Sequence, residues 1–274
     1  MGKACAAVAL LMVLAAGCKS EKAGQASSKL TLSGASTVAP LMAEVAKRFE
    51  AKNPGVRVDV QSGGSARGVM DARQGLADIG MVSRDLTPDE QDLDAHLVAK
   101  DGICVIVHKT NPVASLTDEQ IVSIYTGKIS NWKDVGGADA PIVVVNKAEG
   151  RSTLELFLHH FQLKNSDIKA QVIIGDNQQG IKTVEGSPEA IGYVSIGAAE
   201  YAAKQGEPLR LLPMAGVEAS VDNVRNGKFP LGRTLNLVTK KGPRGELARK
   251  FITFSQSSEI HDLIEAQYFI PMGK

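Results

Sequence analysis

The sequence predicts an α/β protein built as two lobes, each a sheet flanked by helices, joined by crossover strands. Two observations carry this. Short apolar runs alternate with amphipathic stretches along most of the chain, a pattern that favours parallel sheet with helices packed on it. Polar connections near His108–Pro112 and Asn226–Arg233 flank apolar runs. Taken as crossovers, they divide the chain into one lobe of residues 30–108 plus 232–274 and another of 109–231.

The elements follow in order. Leu30–Leu32 leads through a Gly/Ser/Thr loop to a helix over Val38–Ala51, where Leu41, Val45 and Phe49 recur at helical spacing. Val56–Val60 alternates as a strand, and the stretch Gly63–Gly75 after it repeats the strand, loop, helix order. Asp78–Val82 and Gly102–Val107 add strands, Thr117–Tyr125 a short helix, Ile142–Val145 a strand and Thr153–Phe161 a helix. Ala170–Ile174 and Ala190–Val194 read as strands around a helix at Gly180–Glu185. A Gly/Pro-punctuated region at 205–232 precedes a strand at Thr234–Val238 and helices from Gly245 to Gln267.

The N-terminus is an address. Lys3 precedes an acid-free run from Ala4 to Ala16, far short of the roughly 20 residues that span a bilayer, closing on small residues before Cys18. Residues 1–17 therefore read as a signal peptide. Leu14-Ala15-Ala16-Gly17-Cys18 resembles a bacterial lipobox, in which the Cys thiol is lipidated, although Ala15 stands where Leu is commonest. Simple secretion is the alternative. Residues 18–29 read as the lipidated N-terminus and a flexible polar tether.

Composition narrows the function. The 274 residues are 43% hydrophobic and 22% charged, which excludes disorder, collagen and coiled coil. Lys plus Arg number 31 against 30 Asp plus Glu, so nothing favours a nucleic-acid partner. Loss of Lys3 with the leader leaves no net charge, so a charged ligand has to be met locally. Cys104, the one thiol outside the leader and Cys18, sits among Ile103, Val105 and Ile106 and reads as a buried strand residue.

Three polar loops share one design. Gly34-Ala35-Ser36-Thr37, Ser62-Gly63-Gly64-Ser65 and Gly150-Arg151-Ser152-Thr153 each put hydroxyls at a helix N-terminus, where free N–H groups and the helix dipole attract anions. One such loop is ordinary capping. Three, with the cations Arg67, Arg84, Lys147 and Arg151 near them, point to one small anion. Arg84 follows Ser83 at a strand exit, where ligands of open α/β sheets collect. A guanidinium offers paired donors to an oxyanion, and charged hydrogen bonds contribute about 1.5–3 kcal/mol each.

These residues resemble the phosphate-binding proteins of bacterial phosphate ABC transporters, across almost the whole chain beyond the leader. The likeness rests on Ser33–Leu41, Ser62–Ser65, Ala77–Arg84, Asn111–Pro112–Val113, Tyr125–Trp132 and Ala190–Val194. It implies a two-lobed periplasmic-binding-protein fold that closes on inorganic phosphate and hands it to a membrane permease, outside the cytoplasm, usually as a monomer and without a cofactor. Carried over position by position, Ser36, Thr37, Ser65 and Ser83 match ligand contacts; Arg84, Lys147, Gly150, Arg151, Ser152 and Thr153 complete the expected set. Two departures stand out. Arg84 follows Ser83 where some members place an Asp that accepts a phosphate proton, and the third loop has Lys147 for Arg, Arg151 for Ser and Ser152 for Gly. Glu149 is expected to pair with Lys147 or Arg151; the alternative is a proton acceptor.

Other features read as structural. Tyr125–Trp132 is a turn and packing module around the only Trp, and His159-His160 lies on a helix without a metal-ligand pattern. Gly63–Arg67 misses GxSxG at its last position, and Gly127-Lys128 is followed by Ile129 instead of Ser or Thr, so neither enzyme motif is complete. The reading is a binding protein with no catalytic residues. Its rivals are the same fold holding another oxyanion or a phosphorylated compound, an extracytoplasmic phosphate-ester hydrolase using a loop serine, and an adhesin or signalling module that has lost the ligand.

Overall fold

Strands enter the structure earlier than the apolar pattern indicates: in the computed structural model, which describes residues 28–242 and 245–273, Ser28 is already paired with Val56. Ser28 and Lys29 therefore belong to the sheet and not to the tether. The leader, Cys18 and the tether up to residue 27 lie outside the described residues.

The elements run β1 (Ser28–Gly34), α1 (Ala39–Lys52), β2 (Val56–Ser62), α2 (Ser65–Gln74), β3 (Ile79–Val82), β4 (Leu93–His108), α3 (Asp118–Tyr125), β5 (Val143–Lys147), α4 (Ser152–His160), β6 (Val172–Ile174) and α5 (Asn177–Glu185). Then follow β7 (Ala190–Ser195), α6 (Ile196–Lys204), β8 (Leu209–Leu211), α7 (Val221–Arg225), β9 (Gly232–Lys240), α8 (Glu246–Ser255), α9 (His261–Ala266) and β10 (Ile270–Pro271). In α1 the residues Leu41, Met42, Val45, Ala46 and Phe49 form one buried face, and Pro40 opens the helix where a missing N–H costs nothing. Gly75 ends α2 in the left-handed conformation.

The sheet order is β2-β1-β3-β9-β4-β7-β5-β6, with β8 and β10 also pairing β4. Pairing is parallel within β1, β2 and β3 and within β5, β6 and β7. It turns antiparallel where β4 and β9 join them, so the sheet is mixed and not wholly parallel. The reason is topological: β4 and β9 run between the two halves of the molecule in opposite directions.

β4 holds the two halves together. Its residues 93–102 pair with β9 and its residues 103–107 with β7. Val98 and Ala99 pack in a core with Leu30, Leu41, Phe49, Met81, Leu237 and Phe251. Ile103–Val107 pack in a second core with Trp132, Phe157, Tyr193 and Leu212. The chain thus changes lobe within β4, at residues 100–102, and His108–Pro112 is a turn at the strand's far end, where Lys109 N donates to Pro208 O. Residues 93–101 escape the sequence pattern because they mix Asp94, His96, Lys100 and Asp101 among apolar positions. Cys104 is fully buried in β4, which pushes its thiol well above its ordinary pKa.

Candidate functional site

Ser and Thr at a helix start ordinarily cap it. Thr117, Asp176, Ser195 and Ser220 do so for α3, α5, α6 and α7, each accepting a backbone N–H. The three loops singled out in the sequence behave differently: α1, α2 and α4 have no side-chain cap. Their hydroxyls are buried nonetheless, Thr37 and Thr153 at 5% exposure, Ser65 at 1% and Ser152 at 2%. Burying hydroxyls without using them as caps is costly unless they serve something else.

Two of them, Thr37 and Thr153, meet on a residue absent from the sequence-based set. Arg233, on β9 where the chain returns between lobes, is buried with its partner Asp101, each side chain 1% exposed. Its Nε and Nη2 both donate to Asp101 Oδ2, at 3.0 and 2.7 Å. Its remaining donors reach hydroxyls of both lobes: Nη1 to Thr153 Oγ1 at 2.9 Å and Ser83 Oγ at 3.5 Å, Nη2 to Thr37 Oγ1 at 3.3 Å. Ser65 Oγ joins through Ser83, accepting its backbone N–H at 3.2 Å. Sequence signal for Arg233 existed only as a cation in a Gly/Pro-rich connection; its register opposite Asp101 is a property of the β4–β9 ladder.

Asn177, the first residue of α5, was also missed. Its Nδ2 donates to Thr37 Oγ1 at 3.3 Å across the lobes, and its Oδ1 accepts from Ser195 N. Lys147, at the end of β5, donates from Nζ to Asp176 O at 2.7 Å and to Asn177 Oδ1 at 3.3 Å. Burial, then repulsion from Arg233 and Arg151, pulls the Lys147 ammonium down to about 7, against an opposing contribution from Asp176. Arg151 Nε and Ser152 Oγ are buried without a hydrogen-bond partner. Ser36 is half-buried and lines, with Thr37, Val60, Asp176, Asn177 and Tyr201, a cleft of about 770 Å³ beside this cage.

Arg84 departs from expectation. Its Nη1 and Nη2 grip the Glu90 carboxylate at 2.7 and 2.9 Å, Nη1 also donates to Asp85 O, and Nε donates to Glu155 at 2.6 Å. Burial works against this charge, yet the hydrogen bonds to Glu90 and Glu155 hold the guanidinium above its ordinary pKa. The side chain is thus spent on carboxylates and is withdrawn as a ligand contact. Glu149 corrects a second expectation: it is exposed and accepts from Asn165 Nδ2 at 3.0 Å instead of meeting Lys147 or Arg151. Arg67 is a surface cation paired with Asp71. Trp132 is a packing residue, its Nε1 donating to Glu189 O.

The lobes touch. Beyond the Asn177–Thr37 and Arg84–Glu155 bonds, Ala66 N donates to Gly150 O at 3.2 Å. Gly64, at φ 99°, sits so close that an added Cβ would lie 2.6 Å from Gly150 O and 3.0 Å from Arg151 Cδ. Gly64→Ala is therefore expected to resist closure by about 1–3 kcal/mol, weakening anion binding roughly ten- to a hundredfold. Titration checks it, and unchanged affinity would show that this approach is not needed for binding.

Two lobes closed over a buried cage of hydroxyls and cations define a substrate-binding protein of the periplasmic type. Comparison with known proteins agrees. A family profile described as PBP superfamily domain matches residues 19–259. The phosphate-binding protein PstS of Bacillus subtilis is 30% identical over 256 residues, covering 90% of this chain and 82% of that protein. A putative phosphate ABC transporter substrate-binding protein from Clostridium perfringens, solved with bound phosphate, superimposes with a TM-score of 0.82 at 35% identity, covering 89% of this chain and all of that one. An ABC-type phosphate transport receptor from Vibrio cholerae gives 0.74 at 30% identity, covering 88% and 99%. The chain belongs to the PstS phosphate-binding proteins of the PBP superfamily. The regulatory domain of Synechocystis CcmR, at 15% identity and a TM-score of 0.60, shares the fold alone.

Proposed function

We propose that this protein captures inorganic phosphate in the Arg233-centred cage and delivers it to an ABC-type permease, binding it without chemical turnover. The observation that supports this is the convergence of buried hydroxyls from both lobes on one guanidinium, Thr37 and Ser83 from one lobe and Thr153 from the other. Thr37, Ser65 and Ser83 approach from one lobe and Ser152, Thr153, Arg151 and Lys147 from the other, so the ligand is complete in its contacts only when the lobes meet. Binding then favours the closed form by its differential affinity, and the closed form is what a permease reads. Gly150 contributes the turn that brings the third loop to Ala66, with φ 75°. Lipidation at Cys18 after removal of residues 1–17 holds the protein at the outer side of a membrane, and residues 19–27 act as tether.

Isothermal titration with phosphate tests the reading. Binding at micromolar level or tighter, about 8 kcal/mol, is expected. An absence of heat together with an unchanged melting temperature at millimolar phosphate would overturn it.

Lys147 adds a pH signature. In the closed arrangement burial and the two guanidinium groups favour the neutral Lys147 amine near pH 8, and a dianion placed beside it favours the ammonium form. Phosphate binding at pH 8 is therefore expected to take up protons, seen as a dependence of the binding heat on buffer ionisation enthalpy. Lys147→Met removes this uptake; proton uptake identical in the variant would show that Lys147 does not face the ligand.

A further inference from the structure

We propose that the end of the β1–β3 lobe from which the tether leaves is a membrane-facing surface that lies on anionic phospholipid headgroups, while the cage at the lobe's other end stays open to phosphate. This rests on the reading of Cys18 as a lipid anchor and adds to it a surface of the folded body.

Strand register gathers the residues. β1 begins at Ser28, whose N–H donates to Gly55 O, and ends at Gly34 beside the cage, roughly 20 Å away at about 3.3 Å per residue. Asp78 N donates to Thr31 O in the parallel pairing of β1 with β3, so the residues before Asp78 lie towards the Ser28 end. Leu76 is one of them, and it is 67% exposed. On the other side of β3, Gly80 pairs with Val238, which brings Lys240 level with Asp78 and carries Lys241 on to the same end, where its N–H donates to Asp92 O. Two strand spacings, about 10 Å, separate β1 from β9. α8 starts a few residues further on, and its Arg249 lines a groove together with Asn53, next to the turn that receives Ser28. The tether exit, an exposed leucine and cations from two elements thus share one end.

The charges there are not cancelled. Asp92 is taken by Arg73, Glu246 by Lys250, Glu50 by Arg57, Glu259 by Lys52, and Asp78 accepts from Thr31 N. Lys240, Lys241 and Arg249 are exposed and form no ion pair among the described residues. The tether itself adds Lys19 and Lys22 against Glu21. Each cation near an anionic surface strengthens the contact about fivefold, and an apolar side chain among them buries itself at the headgroup boundary. The chain from Cys18 to Ser28 averages about 17 Å in length and reaches about 35 Å at most. That holds this end beside the bilayer, where a contact too weak to bind a free protein becomes effectively intramolecular.

The test is co-sedimentation of the whole chain carrying Cys18→Ser, which removes the anchor and leaves the body intact, with vesicles of phosphatidylcholine alone or with added phosphatidylglycerol. Binding to the phosphatidylglycerol vesicles only, weakening as salt rises from about 50 to about 500 mM, is expected. Lys240→Gln, Lys241→Gln and Arg249→Gln together should weaken it about a hundredfold, whereas Lys109→Gln with Lys128→Gln, at exposed positions of the other lobe, should leave it unchanged. Equal binding to both kinds of vesicle, or binding indifferent to the triple substitution, would overturn the membrane face. Phosphate titration of the triple variant reports on the cage alone and should match the wild type. A mature wild-type chain whose mass shows no lipid would overturn the anchor and not the face.

Discussion

Replacing Arg233 by methionine is expected to abolish useful phosphate binding and to destabilise the protein by about 3–5 kcal/mol, the penalty for leaving a buried charge without its partner. Asp101, 1% exposed, would keep only the Gly197 N–H. Thr37, Thr153 and Ser83 would lose the donor that orients them. Losing three oriented contacts at roughly 1.5 kcal/mol each is on the order of a thousandfold in affinity. Arg233→Lys is not expected to rescue binding, since one ammonium cannot span Asp101 and hydroxyls on both lobes as a planar fork does. Adding Asp101→Asn to Arg233→Met separates the two effects. Chemical denaturation should show stability partly restored while titration shows affinity still lost. Wild-type affinity in Arg233→Met would remove this residue from the site.

The second large effect concerns Arg84. Arg84→Met leaves Glu90 buried, its side chain 7% exposed, with only the Thr87 N–H among its former partners. A loss of about 3–5 kcal/mol in unfolding free energy is expected. Burial favours the neutral Glu90 carboxyl, but hydrogen bonds from Arg84 and Thr87 hold its pKa below the ordinary carboxylate value. Its contribution is therefore full above the ordinary carboxylate range and lost as the pH falls through the lowered folded value. Acid unfolding of Arg84→Met should show a shallower pH dependence than the wild type. Glu155→Gln is the informative contrast: Glu155 is 38% exposed, so its bond to Arg84 is screened and its loss should cost at most about 1 kcal/mol. Because that bond crosses between lobes, the cost should appear as faster phosphate release and not as lower stability of the ligand-free protein. A large drop in melting temperature for Glu155→Gln would place the pair in the folding core instead.

Much of the fold was legible. α1, β2, α3, β5, α4 and β7 lie within a few residues of their expected positions because each combines a clear apolar period with a Gly, Pro or hydroxyl boundary. α6 and α7 were not expected: α6 buries only Ile196 and small residues and so shows little apolar period, and α7 has only five residues. The first half of β4 was missed because a strand at the crossing between lobes alternates less cleanly. The three loops could be seen because hydroxyls next to glycines leave a local pattern.

Sequence alone made the three hydroxyl-rich loops and the phosphate-binding family motifs legible, since each loop or motif is a local run of residues. Tertiary structure decides which cation serves them. Arg84 follows Ser83 directly and Arg233 lies 150 residues from it. Yet Arg84 is drawn to Glu90 and Glu155, while pairing of β4 with β9 sets Arg233 against Asp101 and aims it into the cage. A charge goes to the partner that burial leaves it, and burial is a property of how the strands pair.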